Sequence, residues 1–244
     1  RPPSEASSII LQVTVGCSHN RCRFCGVYQN ETFEIKDRSM VLEDIRYASR
    51  NFQDRRRLFL CDGDPLILPS ALLLEYLKEI KQHLPQITRV STYANAKSIS
   101  RKSDDELSLL QENGLRILHM GLESGDDETL KYLEKGGDSA FIIEQGLRAK
   151  KAGMKLFVTV ILGLGGKERS LIHAQKTGEA LSRMNPEYVG VLSLMFISGT
   201  YLHEEYTRST FTLPDPMALL KELRVLFENT HLKPGYFYAN HASN

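Results

Sequence analysis

The sequence predicts an α/β protein of parallel βαβ units, on three observations. Six short apolar runs rich in Val, Ile and Leu recur along the 244 residues, the composition of buried parallel strands. Segments of helical periodicity lie between them, an alternation that gives either an incomplete barrel or a doubly wound sheet. The residues just past the runs are cysteine, glycine and small polar residues, where both architectures place chemistry.

The first run, Ile9-Ile10-Leu11-Gln12-Val13-Thr14-Val15, leads into Cys17-Ser18-His19-Asn20-Arg21-Cys22-Arg23-Phe24-Cys25. Leu42, Ile45, Ala48 and Phe52 then recur at three or four residues and predict a helix. The next strand, 57–60, runs into Cys61-Asp62-Gly63-Asp64-Pro65, and Leu73, Leu77 and Ile80 mark the helix after Pro69. Residues 88–93 form the third strand, ending at Tyr93-Ala94-Asn95. Ser103 to Glu106 reads as a capping box opening a helix that stops near Gly114. The fourth strand, 116–122, meets Glu123-Ser124-Gly125, and a helix from Asp138 or Ser139 closes at Gly153. The fifth, 155–162, meets Gly163-Leu164-Gly165-Gly166-Lys167-Glu168 and is followed by a helix over 169–183. The sixth, 188–195, leads on to Ser198-Gly199-Thr200. Asp215-Pro216 opens a last helix with Met217, Leu220, Leu223 and Phe227 on one stripe. The closing Tyr236-Phe237-Tyr238 run reads either as a lid or as a strand. No repeat or low-complexity linker interrupts the chain, so a single domain over 1–244 is expected, with room for an extension beyond 244.

Composition excludes little else. Hydrophobic content of 41% and charged content of 25% are those of a globular protein, and 31 Lys+Arg against 30 Asp+Glu leave a net charge of +1. No global field attracts nucleic acid or anionic membrane, and Arg55-Arg56-Arg57 reads as a solvated turn. No apolar stretch reaches membrane-spanning length and no signal-peptide pattern opens the chain. Four cysteines with three clustered fit a reducing cytoplasm.

The C-x4-C-x2-C spacing of Cys17, Cys22 and Cys25 suits an iron–sulfur cluster or a metal ion better than disulfides, because three cysteines in one tight loop cannot all pair locally. A Cys3His zinc site with His19 is the bland alternative, but it cramps the chelate and leaves the strand ends unexplained. Cys61, flanked by Leu58-Phe59-Leu60, reads as a small buried residue.

Taken together, these motifs resemble the radical S-adenosylmethionine (SAM) enzymes over nearly the whole chain, nearest to the branch of oxygen-independent coproporphyrinogen oxidase and the elongator-type domains. The family's usual loop is C-x3-C-x2-C with an aromatic residue before the last cysteine. Phe24 fills that position, while one extra residue separates Cys17 from Cys22. Asp62-Gly63-Asp64-Pro65 is similar to the Gly-Gly-Glu-Pro stretch that binds the SAM amino group. Glu123-Ser124 is similar to the pair that reaches the ribose or carboxylate. The stretch from Val160 through Ile161 and Gly163 to Glu168 resembles the motif passing the adenine, and Ser198-Gly199-Thr200 a turn after strand six.

The resemblance implies a partial (β/α)6 barrel of radical SAM type. It implies a 4Fe–4S cluster on Cys17, Cys22 and Cys25, whose open iron chelates SAM, and SAM contacts from Phe24, Asp62, Gly63, Asp64, Asn95, Glu123, Ser124, Ile161 and Gly163. For Asn95 a turn-forming role competes, for Asp62 and Asp64 a turn-stabilising one, for Ser124 a helix cap. Reductive cleavage of SAM would give a 5′-deoxyadenosyl radical that abstracts hydrogen from a small-molecule substrate, with flavodoxin or ferredoxin as external donor. With only Cys61 left over, a second cluster is not expected, and neither is cobalamin-dependent methyl transfer by this chain alone. A zinc-stabilised module, or a barrel that binds a cofactor without chemistry, is the alternative, and no catalytic side chain is singled out.

Overall fold

The computed structural model describes residues 2–244. Seven strands form one mostly parallel sheet, numbered here with a separate two-stranded sheet in chain order. They are β1 (Ile9–Gln12), β4 (Arg57–Cys61), β5 (Arg89–Ala94), β6 (Leu115–Glu123), β7 (Lys155–Leu162), β8 (Tyr188–Ser193) and β9 (Tyr236–Tyr238), in that spatial order. Strand order following chain order, with helices between strands, is the expected α/β arrangement of a partial barrel.

The expected first strand divides in two. After β1 the chain breaks step, and β2 (Thr14–Val15) pairs antiparallel with β3 (Glu34–Ile35) apart from the main sheet. The expected sixth strand stops at Ser193, two residues early. The closing aromatic run is a strand: β9 lies parallel to β8, in register Tyr188 with Tyr236. Three short helices were not anticipated: α3 (Ala96–Ser100), α5 (Asp127–Tyr132) and α8 (Tyr201–Thr207). Each is five to seven residues, too short for periodicity to register, and each is opened by a side-chain cap, Asn95, Asp126 or Thr200.

The longer helices follow the sequence signals. In α1 (Arg38–Asn51), Asp37 caps the first turn while Val41, Leu42, Ile45 and Ala48 are buried. In α2 (Ser70–His83), Leu73, Leu77 and Ile80 face inward. Ser103 and Glu106 form the expected reciprocal capping box of α4 (Asp104–Glu112). α6 (Ser139–Lys151) stops just before Gly153, and α7 (Gly166–Met184) starts three residues earlier than expected and ends at left-handed Asn185. In α9 (Pro216–Glu228) the stripe faces the other way. Met217, Leu220 and Phe227 are exposed, and it is Glu222 and Leu226 that are fully buried.

Contacts divide the chain into two interleaved units. One comprises Arg1–Ser18, Asn30–Met120 and Arg148–Leu156, and its core is built on Leu58, Phe59, Leu60, Leu73, Tyr76 and Ile80. In it Glu5, only 1% exposed, bonds Ser8, Arg89 (2.8 Å) and Ser91 (3.0 Å), with His119 at 3.5 Å. Burial alone would raise this carboxyl, but those hydrogen bonds and the Arg89 charge more than offset it and hold it at about 2. The other unit comprises His19–Gln29, Gly121–Leu147 and Phe157–Asn244, and packs Val158, Val160, Leu181, Val189 and Val191. Among the described residues no helix is long and apolar enough to cross a membrane.

Candidate functional site

In the first unit the residues just after β2 and the ends of β4 and β5 form one bonded assembly. Gly16, at φ 77°, receives both neighbours from the β4 end: its N–H donates to Asp62 Oδ2 (3.1 Å), and its carbonyl accepts from Gly63 N (3.1 Å). A Cβ built on Gly63 would lie 2.7 Å from the Gly16 carbonyl oxygen and 2.8 Å from Cys17 Cβ, so only glycine lets the two loops touch. Asp64, fully buried, accepts from Ser18 Oγ (2.6 Å) and Asn95 Nδ2 (2.7 Å) through Oδ2. Its Oδ1 has no hydrogen-bond partner, and burial pushes the carboxyl up to about 6. Asn95 also caps α3 in a capping box with Ser98. The sequence-predicted Asp62, Gly63, Asp64 and Asn95 are therefore gathered around the Cys17 arm, where both carboxylate side chains brace the loop. Cys61, half-buried at the end of β4, has its thiol pushed up to about 11 by burial and by the Asp62 charge.

In the second unit the loop 19–29 is clamped by Arg23. Its guanidinium lies 4.7 Å over the Tyr132 ring and 5.8 Å from Tyr201, and pairs with Glu205 at 2.7 Å. Its backbone bonds the Leu133 carbonyl and the Leu202 N–H. Cys25 N donates to Cys22 O at 3.1 Å, a tight turn that brings those two residues together. Phe24 packs against Leu133, Leu164, Leu202 and Phe211. His19 Nε2 lies 2.7 Å from the Glu134 carbonyl. Asn20, inside the lengthened spacing, is left-handed at φ 41° and donates to the Tyr28 carbonyl. Asparagine tolerates that conformation better than most residues.

Glu123 ends β6 in a left-handed conformation, φ 62°, and pairs with Lys135 at 3.0 Å through Oε1. Its buried Oε2 has no hydrogen-bond partner, an orphaned acceptor that a donor on a ligand would satisfy. Lys135 was not legible in the sequence, whose only mark there is the Gly136-Gly137 that follows. Burial would lower its ammonium, but Glu123 and the sulfurs of Cys22 and Cys25 more than offset this and hold it above its ordinary value. A cation thus stands beside the two cysteines.

Ser124 does not cap the following helix; Asp126 does. Fully buried Ser124 instead shares a hydrogen bond with His173 Nδ1 at 2.7 Å. His173 Nε2 lies 3.2 Å from the Ile161 carbonyl and 3.5 Å from Glu222 Oε1. Glu222 accepts from Gly163 N (2.6 Å) and from Ser170 Oγ. Burial pushes His173 down to about 4 and Glu222 up to about 7. Gly163 itself turns at φ 86°. His173 and Glu222 were also missed, since a lone polar residue in a helix reads as solvent-facing.

All four cysteines are half-buried thiols. Among the described residues no three His, Cys, Asp or Glu side chains are gathered closely enough to hold a metal ion. The donor set nonetheless fits a cluster in kind: three thiols within one loop, with a lysine beside two of them.

Comparison with known proteins extends this picture. An uncharacterized protein of Methanocaldococcus jannaschii is 23% identical over 85% of this chain and 66% of its own length. A GTP 3',8-cyclase of Rhizobium etli is 26% identical over 62% of this chain and 42% of its own. The structure of coproporphyrinogen III oxidase from Escherichia coli, described as a radical SAM enzyme, superposes at a TM-score of 0.66 with 17% identity, over 91% of this chain and 52% of that one. The chain spans less than two thirds of the length of each. The sequence model of the radical SAM superfamily, whose enzymes use a 4Fe–4S cluster and SAM, matches residues 11–174. That span holds the cysteine loop and the first five strand ends of the parallel sheet, and the chain belongs to the radical SAM superfamily.

Proposed function

We propose that this protein is a radical SAM enzyme that abstracts hydrogen from a small-molecule substrate, with Cys17, Cys22 and Cys25 as the cluster ligands. When bound, the cluster and SAM supply a one-electron reductive cleavage that yields a 5′-deoxyadenosyl radical. The chain's own residues hold and orient. Asp62, Gly63, Asp64 and Asn95 fix the Cys17 arm, leaving the backbone of the β4 end for the SAM amino group. Glu123 Oε2, unpartnered and buried, accepts from the ribose, and Lys135 offers its charge to the SAM carboxylate. Ile161 and Gly163 flank the adenine, while Phe24 seals the loop from water. The partners are a flavodoxin- or ferredoxin-type electron donor and the substrate. A cytoplasmic setting follows from the redox demands of thiolate ligands.

The observation that carries the reading is the family match over residues 11–174, which includes all three loop thiols. The test is anaerobic reconstitution followed by iron and sulfide analysis, and release of 5′-deoxyadenosine after reduction with SAM present. Cys17→Ala, Cys22→Ala and Cys25→Ala each abolish that release, whereas Cys61→Ala largely spares it. A protein that binds one zinc and no SAM, or a Cys22→Ala variant that still cleaves SAM, overturns the proposal.

A further inference from the structure

The one buried carboxylate of α9 lies outside the segment that identifies the family, yet it is bonded to a strand end assigned above to SAM. Glu222 is fully buried on a helix whose apolar side chains Met217, Leu220 and Phe227 face outward. Helix anchoring does not explain it, because a leucine of similar volume would fill the space without the cost of desolvating a carboxyl. Its bonds are specific. Oε1 takes the Gly163 N–H at 2.6 Å, at the point where β7 turns at φ 86°, and Oε2 takes the Ser170 hydroxyl. His173, one turn along α7 from Ser170, stands 3.5 Å from the same carboxyl, and its ring reaches the Ile161 carbonyl and the Ser124 hydroxyl. One continuous polar chain therefore backs Ser124, Ile161 and Gly163.

We infer that Glu222 is a positioning residue for the adenosyl subsite, setting the Ile161–Gly163 backbone and, through His173, the turn after β6. This rests on the SAM reading above. Without Glu222 the Gly163 N–H is a buried donor with nothing to bond, and the turn relaxes to satisfy it.

The experiment compares reconstituted wild type, Glu222→Leu, Glu222→Gln and Leu226→Ala, reading SAM affinity by anaerobic equilibrium dialysis and melting temperature. Amide exchange at Gly163 is followed in the same samples. Glu222→Leu weakens SAM binding about tenfold, on the order of one buried hydrogen bond, and speeds exchange at Gly163. Glu222→Gln, which keeps an acceptor for that N–H, restores affinity to within about twofold of wild type. Leu226→Ala, equally buried on the same helix, lowers the melting temperature but leaves affinity within about twofold. Should Glu222→Leu fail to fold, Glu222→Asp withdraws the carboxylate by one methylene and weakens binding in the same direction. Wild-type affinity in the folded Glu222 variant, or an equal loss in Leu226→Ala, overturns the inference alone. A wild type that binds no SAM overturns the parent reading and this one with it.

Discussion

Gly63 shows how one missing methyl group decides what a loop can hold. The atoms a Cβ would strike, the Gly16 carbonyl oxygen and Cys17 Cβ and Cα, belong to the neighbouring loop's backbone and to the root of a side chain, and none can swing aside. Gly63→Ala is therefore expected to cost about 1–3 kcal/mol by overpacking, and to displace Cys17. Thermal melting checks the first effect, and iron bound per chain after reconstitution, falling well below wild type, checks the second. Residue identity was partly legible here. The glycine and carboxylates at the β4 end were marked by their place after an apolar run, and the structure brings Asp64 and Asn95 to a 2.7 Å bond. That bond could not be read, because it joins two strand ends 31 residues apart. Lys135 escaped for the same reason, since its meaning lies in Glu123, Cys22 and Cys25, and none is a helical or strand neighbour.

At the scale of elements, the caps of α4 and α9 and the stripes of α1 and α2 were dependable signals, and the stripe of α9 was not. Ser103 with Glu106 and Asp215 before Pro216 start helices where a hydroxyl or carboxylate can take the orphaned first-turn N–H groups, a local effect that needs no knowledge of the fold. The apolar stripe of α9 was read by period alone, and period does not say which face is covered. Leu220, Leu223 and Phe227 line an open groove with Phe237, while the buried side carries Glu222 and Leu226. Met217→Gln is accordingly expected to change stability by no more than about 0.5 kcal/mol. Leu226→Ala costs about 2–5 kcal/mol by the cavity it leaves. Urea denaturation of the two variants distinguishes them, and a larger loss for Met217→Gln would restore the original orientation.

For the whole molecule, the α/β class and the cysteine loop were readable, whereas strand order, left open between a barrel and a doubly wound sheet, and the division into two units were not. The units interleave along the chain, so no composition shift marks a boundary. Acid stability is a property of the entire chain to which buried Glu5 and Asp126, both held below the ordinary carboxylate range, contribute with the same sign. Glu5, held at about 2 against an ordinary 4.5, takes up its proton less readily folded than unfolded. Its contribution, about 3 kcal/mol, is thus complete above pH 4.5 and lost as pH falls through 2. Asp64 and Glu222 act with the opposite sign. Raised to about 6 and 7, they hold protons in the folded chain that the unfolded chain has released, so stability from them declines as pH climbs from about 4 to 7. Glu5→Gln should lower stability at neutral pH and flatten the acid limb between about pH 4.5 and 2, as followed by chemical denaturation across pH. An unchanged limb would show that other carboxyls govern acid unfolding. The half-buried Cys61 thiol has a practical corollary for anyone counting sulfurs. With its proton retained to about 11, only roughly one molecule in a thousand presents a nucleophile there at pH 8, so alkylating reagents leave it nearly untouched. Mass spectrometry after brief iodoacetamide labelling then carries its own internal blank, against which shielding of the remaining three can be scored without a single mutation.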